Sequence, residues 1–120
     1  MNEDIFKIGD IDEQYNKVLD SNFSLLPIYQ SKGFIKHIQK RHPNCLKYID
    51  NISNILSTPD YIGSKDEKSI ELIKKIDNNI LLALNIDKNN QYFYVASLYD
   101  VTESKINNRL NSGQLKKYEK

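Results

Sequence analysis

Cysteine occurs once, histidine twice and tryptophan nowhere in these 120 residues. The lone Cys45 has no partner for an internal disulfide, and one thiol with two imidazoles falls short of a four-ligand zinc site. No metal and no cofactor are expected. A glycine-rich phosphate loop, a GxSxG nucleophile elbow and an HExxH zinc pair are all missing. So is any run near the roughly 18 apolar residues that a membrane helix needs. The opening MNEDIFKIGD has no basic stretch followed by an apolar one, so a cytoplasmic chain with no membrane partner is expected. There is no internal repeat and no Pro-, Gly- or Ser-rich linker. At this length one domain spanning 1–120 is expected. Hydrophobic residues at 39% against 28% charged lie well away from the composition of a disordered chain, so the domain should fold.

A strong charge of either sign is lacking as well. With 17 basic and 16 acidic residues the net charge is +1, which neither promotes nor excludes a nucleic-acid partner. The distribution is more informative. Residues 31–48 hold Lys32, Lys36, Lys40, Arg41 and Lys47 with no acid among them. Residues 105–120 hold Lys105, Arg109, Lys116, Lys117 and Lys120 against Glu119 alone.

The pattern of apolar residues predicts an α+β fold. Ile5, Phe6 and Ile8 before Gly9 suggest a short strand, and Ile11, Tyr15, Val18 and Leu19 fall at helical spacing, so residues 1–30 form a strand and helix region. Leu25 to Tyr29 reads as extended, after which Ser31 can cap a helix from Lys32 to about Arg41. Pro43 suits the first turn of a second helix, whose stripe Leu46, Ile49, Ile52, Ile55 and Leu56 needs a partner surface. Helices therefore fill 31–57. Beyond the breaker cluster Ser57 to Asp60 the period changes, and residues 60–100 read as strands at Tyr61–Ile62, Ser69–Ile76, Asn79–Ile86 and Tyr92–Tyr99. Asp87-Lys88-Asn89-Asn90 is the hairpin loop, because Asp and Asn tolerate left-handed geometry. The expected architecture is N-terminal helices packed on one face of an antiparallel meander of four or more strands, followed by a basic segment over 101–120 in which Gly113 breaks any helix.

Both histidines lie in Gly33-Phe34-Ile35-Lys36-His37-Ile38-Gln39-Lys40-Arg41-His42-Pro43, and histidine is the side chain that titrates near neutrality. On a helix His37 and Arg41 share a face while Phe34 and Ile38 turn to the core. His42 is rotated by roughly 140° from His37 at about 3.6 residues per turn, so the rings converge only through a bend at Pro43. A histidine at a helix end also serves simply to satisfy the last carbonyls, and the pattern leaves both readings open. Ser97 and Tyr99 alternate onto one sheet face, where hydroxyls can donate to a phosphate or merely decorate a strand. Lys105 and Arg109, four apart, form either a cationic rim or a solvated helix face. Cys45 falls on the apolar side of its helix, where a thiol is usually inert.

Taken in order, the His-x-x-x-Arg-His-Pro helix, the stretch Pro59-Asp60-Tyr61-Ile62-Gly63 and the closing Val95-Ala96-Ser97-Leu98-Tyr99 resemble the phage-associated branch of the barnase, EndoU, colicin and RelE-like nuclease superfamily. The resemblance covers roughly Phe6 to Leu115. It implies a barnase/RelE-like fold and a metal-independent endoribonuclease, toxin-like or phage-encoded, that cleaves RNA by 2′-hydroxyl transesterification. On this sequence it makes His37 and His42 the acid and base candidates, Arg41 and Lys105 phosphate stabilisers, and Ser97 and Tyr99 supporting donors. Lys36, Lys40, Arg109 and Lys116 become RNA-binding candidates. Ser97 stands where relatives often carry Thr, which keeps the hydroxyl. The implied partners are RNA, of which tRNA is one class, and a cognate inhibitor or immunity protein; delivery into a target cell, or expression from a phage in a bacterial host, accompanies that reading. The near-neutral charge is low for a free ribonuclease, so the alternative is a catalytically inactive binding module such as a phage counter-defence inhibitor of a host nuclease.

Overall fold

The computed structural model describes residues 5–119. Along the chain these form β1 (Ile5–Asp10), α1 (Glu13–Leu19), β2 (Pro27–Ser31), α2 (Gly33–Arg41), a 3₁₀ helix (Pro43–Asn51), α3 (Ile52–Ser57), β3 (Tyr61–Gly63), β4 (Ser69–Lys75), β5 (Asn79–Asp87), β6 (Tyr92–Asp100), α4 (Glu103–Ser112) and β7 (Leu115–Lys117). The protein is thus a mixed α+β structure in which all seven strands join one sheet, in the order β1-β2-β6-β5-β4-β3-β7.

Consecutive strands β3, β4, β5 and β6 pair antiparallel. The rest of the sheet departs from a pure meander. Strand β2 runs parallel to β6, with Ile28 opposite Phe93 and Tyr29 opposite Tyr94, and it carries β1 as an antiparallel edge. At the other edge β7 pairs with β3. That close approach needs Gly63, because a Cβ there would lie 2.5 Å from the Gln114 carbonyl oxygen.

Alternation divides the sheet into two faces. Ile70, Leu72, Ile80, Leu82, Leu84, Phe93, Val95 and Leu98 form the main core with Tyr15 of α1, Phe34 and Ile38 of α2, Cys45 and Tyr48 of the 3₁₀ helix, and Ile52, Ile55 and Leu56 of α3. Among the described residues the opposite face is covered only at one end. There Ile106 of α4 packs on Ile73, Leu81 and Leu115, with Tyr99 and Leu110 beside them. Helices α1 to α3 thus pack on the main-core face and α4 on the other. The apolar residues of α4 are few, and Ile106 and Leu110 match a patch on the far side of the sheet.

Smaller corrections follow local chemistry. Asp12 opens α1, its carboxylate accepting from the Gln14 amide at 2.9 Å. Ser31 ends β2 and caps nothing; α2 begins after Lys32 without a side-chain cap. Pro43 does open a helix, but its first nine residues wind as 3₁₀ and only Ile52–Ser57 is α. In the β5–β6 turn Asp87 accepts from the amides of Asn89 and Asn90, whereas the left-handed residue is Gln91 at φ 58°.

One polar cluster ties the helices to the sheet. The Tyr48 hydroxyl donates to Asp77 in the β4–β5 turn, and Lys47 Nζ lies 3.1 Å from the same carboxylate. Those two donors, Tyr48 first, hold the Asp77 carboxyl down to about 2. A carboxyl lowered by folding stabilises the native state above its unfolded value of about 3.9 and loses that contribution as pH falls toward 2. Asp77→Asn should therefore lower the thermal unfolding midpoint at pH 7, and the gap from wild type should close between about pH 4 and pH 2. A gap that persists at pH 2 would assign the effect to something other than the carboxylate.

Candidate active site

On the face opposite the main core, α4 leaves a concave strip of sheet uncovered. It encloses about 490 Å³ and is lined by Glu71, Ala83, Ser97 and Tyr99, with Asn85 and Tyr94 further along and Lys65 and Lys68 from the β3–β4 loop. The register explains its shape. Glu71, Ala83 and Ser97 lie side by side across β4, β5 and β6, and the small Ala83 at the centre leaves the floor open. Ala83 pairs with Ser97 but Leu84 pairs with Val95, so Ala96 is an extra residue in β6. This bulge lets Phe93 and Val95 face the core before it, Leu98 face the core after it, and Ser97 and Tyr99 turn to the cleft.

Glu71 is the chemically unusual residue. It sits in Ile70-Glu71-Leu72-Ile73, is only 7% exposed, and faces the cleft because its neighbours take the core. A buried carboxylate needs a partner. Arg109 of α4 provides it, Nη1 donating to Oε1 at 3.3 Å. The helix is placed for this contact by Thr102, whose hydroxyl caps the Lys105 amide at 3.2 Å, and by Asn79, whose side-chain amide donates to Glu103 at 2.9 Å. Gly113, at φ 84°, closes α4 in the left-handed conformation that favours glycine. Arg109 has five N–H donors, which serve Glu71 and the nearby Tyr99 hydroxyl and exceed what those two contacts need.

Tyr99 lies beside this pair. Burial raises its hydroxyl above the ordinary tyrosine value and the Glu71 charge adds to that, while Arg109 opposes both. The phenol is thus neutral at physiological pH and able to donate. Against its ring, with centroids 5.4 Å apart, lies His42. The bend at Pro43 puts it there: the His42 amide ends α2 on the Ile38 carbonyl and its own carbonyl accepts from Cys45 as the 3₁₀ helix begins. Near it Asn44 reaches Asp100 at 3.5 Å, fixing this turn to the end of β6.

The sequence-derived candidates divide cleanly. Ser97 and Tyr99 line the cleft with Glu71, Arg109 bonds Glu71, His42 touches Tyr99 without lining the cleft itself, and Lys105 sits one turn before Arg109, exposed on α4. His37 does not join them: it is exposed on α2, its ring stacked on Phe34 of the same helix with centroids 6.4 Å apart. Lys36, Lys40 and Arg41 are likewise exposed on α2, which packs on the opposite face of the sheet, and none of them lines the cleft. Phe34 and Ile38 face the core, and the remaining positions of the helix must then look outward. Lys116 of β7 borders a separate hollow of about 580 Å³ that includes Phe23, Ser64 and Lys88. Cys45 is fully buried and its thiol is pushed up by that burial, which leaves it inert. Among the described residues no three His, Cys, Asp or Glu side chains cluster closely enough to hold a metal ion. Glu71 escaped the sequence reading although an acid inside an apolar strand is itself a signal, since its burial has to be compensated.

Residues 6–108 match the family described as phage-Barnase-EndoU-ColicinE5/D-RelE like nuclease3. No curated protein and no solved structure matches the chain.

Proposed function

The chain belongs to this family of phage-associated nuclease-like proteins, and on that premise we propose that it is an endoribonuclease acting through the Glu71 cleft. The observation that carries the reading is the buried Glu71–Arg109 pair on an open sheet face, with His42 against Tyr99 at its rim. The reading takes Glu71 as a base, Arg109 as a phosphate-binding cation, Tyr99 as a neutral donor and His42, against Tyr99, as the imidazole.

In the proposed reaction Glu71 accepts the proton of a ribose 2′-hydroxyl. The freed oxygen pair attacks the adjacent phosphorus, the bond to the 5′-oxygen breaks, and His42 protonates that leaving oxygen. The products are a 2′,3′-cyclic phosphate and a 5′-hydroxyl. Arg109, with Lys105 behind it, meets the charge that builds on the equatorial oxygens, and Tyr99 and Ser97 donate hydrogen bonds to them. The acid, base and cation are all side chains, so cleavage is expected to persist in EDTA. In a cell the enzyme would act as a toxin wherever no neutralising protein covers the cleft.

The two histidines provide the test. With purified protein, single-stranded RNA and EDTA, His42→Ala should slow cleavage by about 100-fold or more, whereas His37→Ala should stay within about twofold of wild type. Intact RNA in the wild-type reaction, or equal losses from the two variants, contradicts the proposal. Intact RNA together with stable capture of a nuclease would favour the inhibitor reading instead.

A further inference from the structure

Beyond the cleft, the same sheet face carries a row of residues that the reaction does not use. Lys7 of β1 pairs with Tyr29 of β2, Tyr29 with Tyr94 of β6, Tyr94 with Asn85 of β5, and Asn85 with Ser69 of β4. This row lies parallel to Glu71-Ala83-Ser97. On β4 and β5 it is displaced by two residues, or about 7 Å along the strands.

Two tyrosines of this row, Tyr29 and Tyr94, have Tyr92 beside them, two residues from Tyr94 along β6. Tyr94 is 39% exposed, one of the few large hydrophobic side chains left in water. It lines both the catalytic cleft and the next hollow, where Tyr29, Tyr92 and Ser31 join it. Tyr29 and Tyr92 meet edge to face, with centroids 5.1 Å apart. The α4 packing cluster does not include them, so among the described residues no helix covers these rings. Lys65 and Lys68 border the cleft that Tyr94 enters, together with Asp66 and with Glu71, whose charge Arg109 meets, and Asn85 flanks Tyr94 with an amide able to read a base edge.

Resting on the endoribonuclease reading, we propose that Tyr94, backed by Tyr29 and Tyr92, is a base-stacking platform that makes single-stranded RNA the substrate. An exposed ring on an open sheet offers its face to any unstacked base, and lysines beside it attract the backbone. A base seated on Tyr94 leaves the neighbouring phosphate one step away along the strands, at the Glu71 row. Duplex RNA keeps its bases stacked on one another and cannot use the platform.

The experiment measures binding separately from cleavage. A fluorescent 2′-fluoro oligonucleotide, which lacks the attacking hydroxyl, is titrated with wild type, Tyr94→Ala and Tyr94→Phe, each first checked by thermal unfolding. Tyr94→Ala should weaken binding by about 5- to 100-fold, the range given by base–aromatic stacking, and Tyr94→Phe should remain within about twofold of wild type. The same oligonucleotide in a duplex should bind more weakly to wild type and respond little to either change. Unchanged affinity of Tyr94→Ala, equal affinity for duplex, or no binding of the single strand by wild type overturns the platform. The two readings fail differently: RNA cleavage with a silent Tyr94 removes the platform alone, whereas Tyr94-dependent binding without cleavage removes the nuclease reading alone.

Discussion

Glu71→Gln should reduce RNA cleavage by about 10²- to 10⁴-fold while leaving the fold intact. The amide has the same shape as the carboxylate and still offers Arg109 an acceptor oxygen, but it cannot take a proton from a 2′-hydroxyl. Losing the carboxylate charge leaves Arg109 without a countercharge and should lower the unfolding midpoint in either case, so a purely structural role for Glu71 is marked by near-normal turnover. Measuring cleavage rate and thermal unfolding on the same preparation separates the two. A variant that remains folded at the assay temperature and no longer cleaves places Glu71 in the chemistry, and one that cleaves normally reduces the Glu71–Arg109 contact to an ion pair of the fold.

Arg109→Ala should damage both properties. Removing one member of a buried pair leaves the other without a countercharge, at a cost of roughly 3 kcal/mol for well-buried pairs. The Arg109 side chain is 24% exposed against 10% for Glu71, so water screens part of this and about 2 kcal/mol is the expected loss. In the Glu71→Gln background the same substitution should cost less, because no buried carboxylate remains to be stranded. Cleavage should fall by about 10²-fold or more, as expected when a donor aimed at developing charge is removed. Arg109→Lys should restore much of the stability and less of the rate, since a lysine cannot hold Glu71 and a phosphate oxygen with the fork that guanidinium provides. Equal recovery of both would mean that only the charge matters.

Much of the fold is legible in the sequence because its signals are local. The change from helical to alternating period after Pro59 marks β3 to β6, and Pro43 marks the joint that carries His42. What stays hidden is long-range. Nothing in Pro27–Ser31 shows that it will lie parallel to a strand more than sixty residues away, and three residues at Leu115–Lys117 are too short to announce β7. The side of the sheet chosen by α4 depends on Ile73 and Leu81, which cannot be assigned until the register is known.

The site follows the same division. Ser97 and Tyr99 fall on one face by alternation, and both face the cleft. The two histidines, five apart, look like a pair in the text, yet the turn at Pro43 carries His42 to Tyr99 and leaves His37 in water. Glu71 and Arg109 are 38 residues apart and meet only across the sheet. The missed clue was energetic rather than positional: an acid between Ile70 and Leu72 on a buried strand requires a cation, and Arg109 lies on the next element able to supply one.

The proposed reaction at this cleft takes the ribose 2′-hydroxyl as its nucleophile. End-group analysis of a single-stranded RNA oligonucleotide incubated with the protein in EDTA tests it most directly. Fragments ending in a 2′,3′-cyclic phosphate, paired with fragments beginning in a 5′-hydroxyl, are the predicted result. RNA that remains whole, or fragments ending in a free 3′-hydroxyl beside a 5′-phosphate, would contradict it.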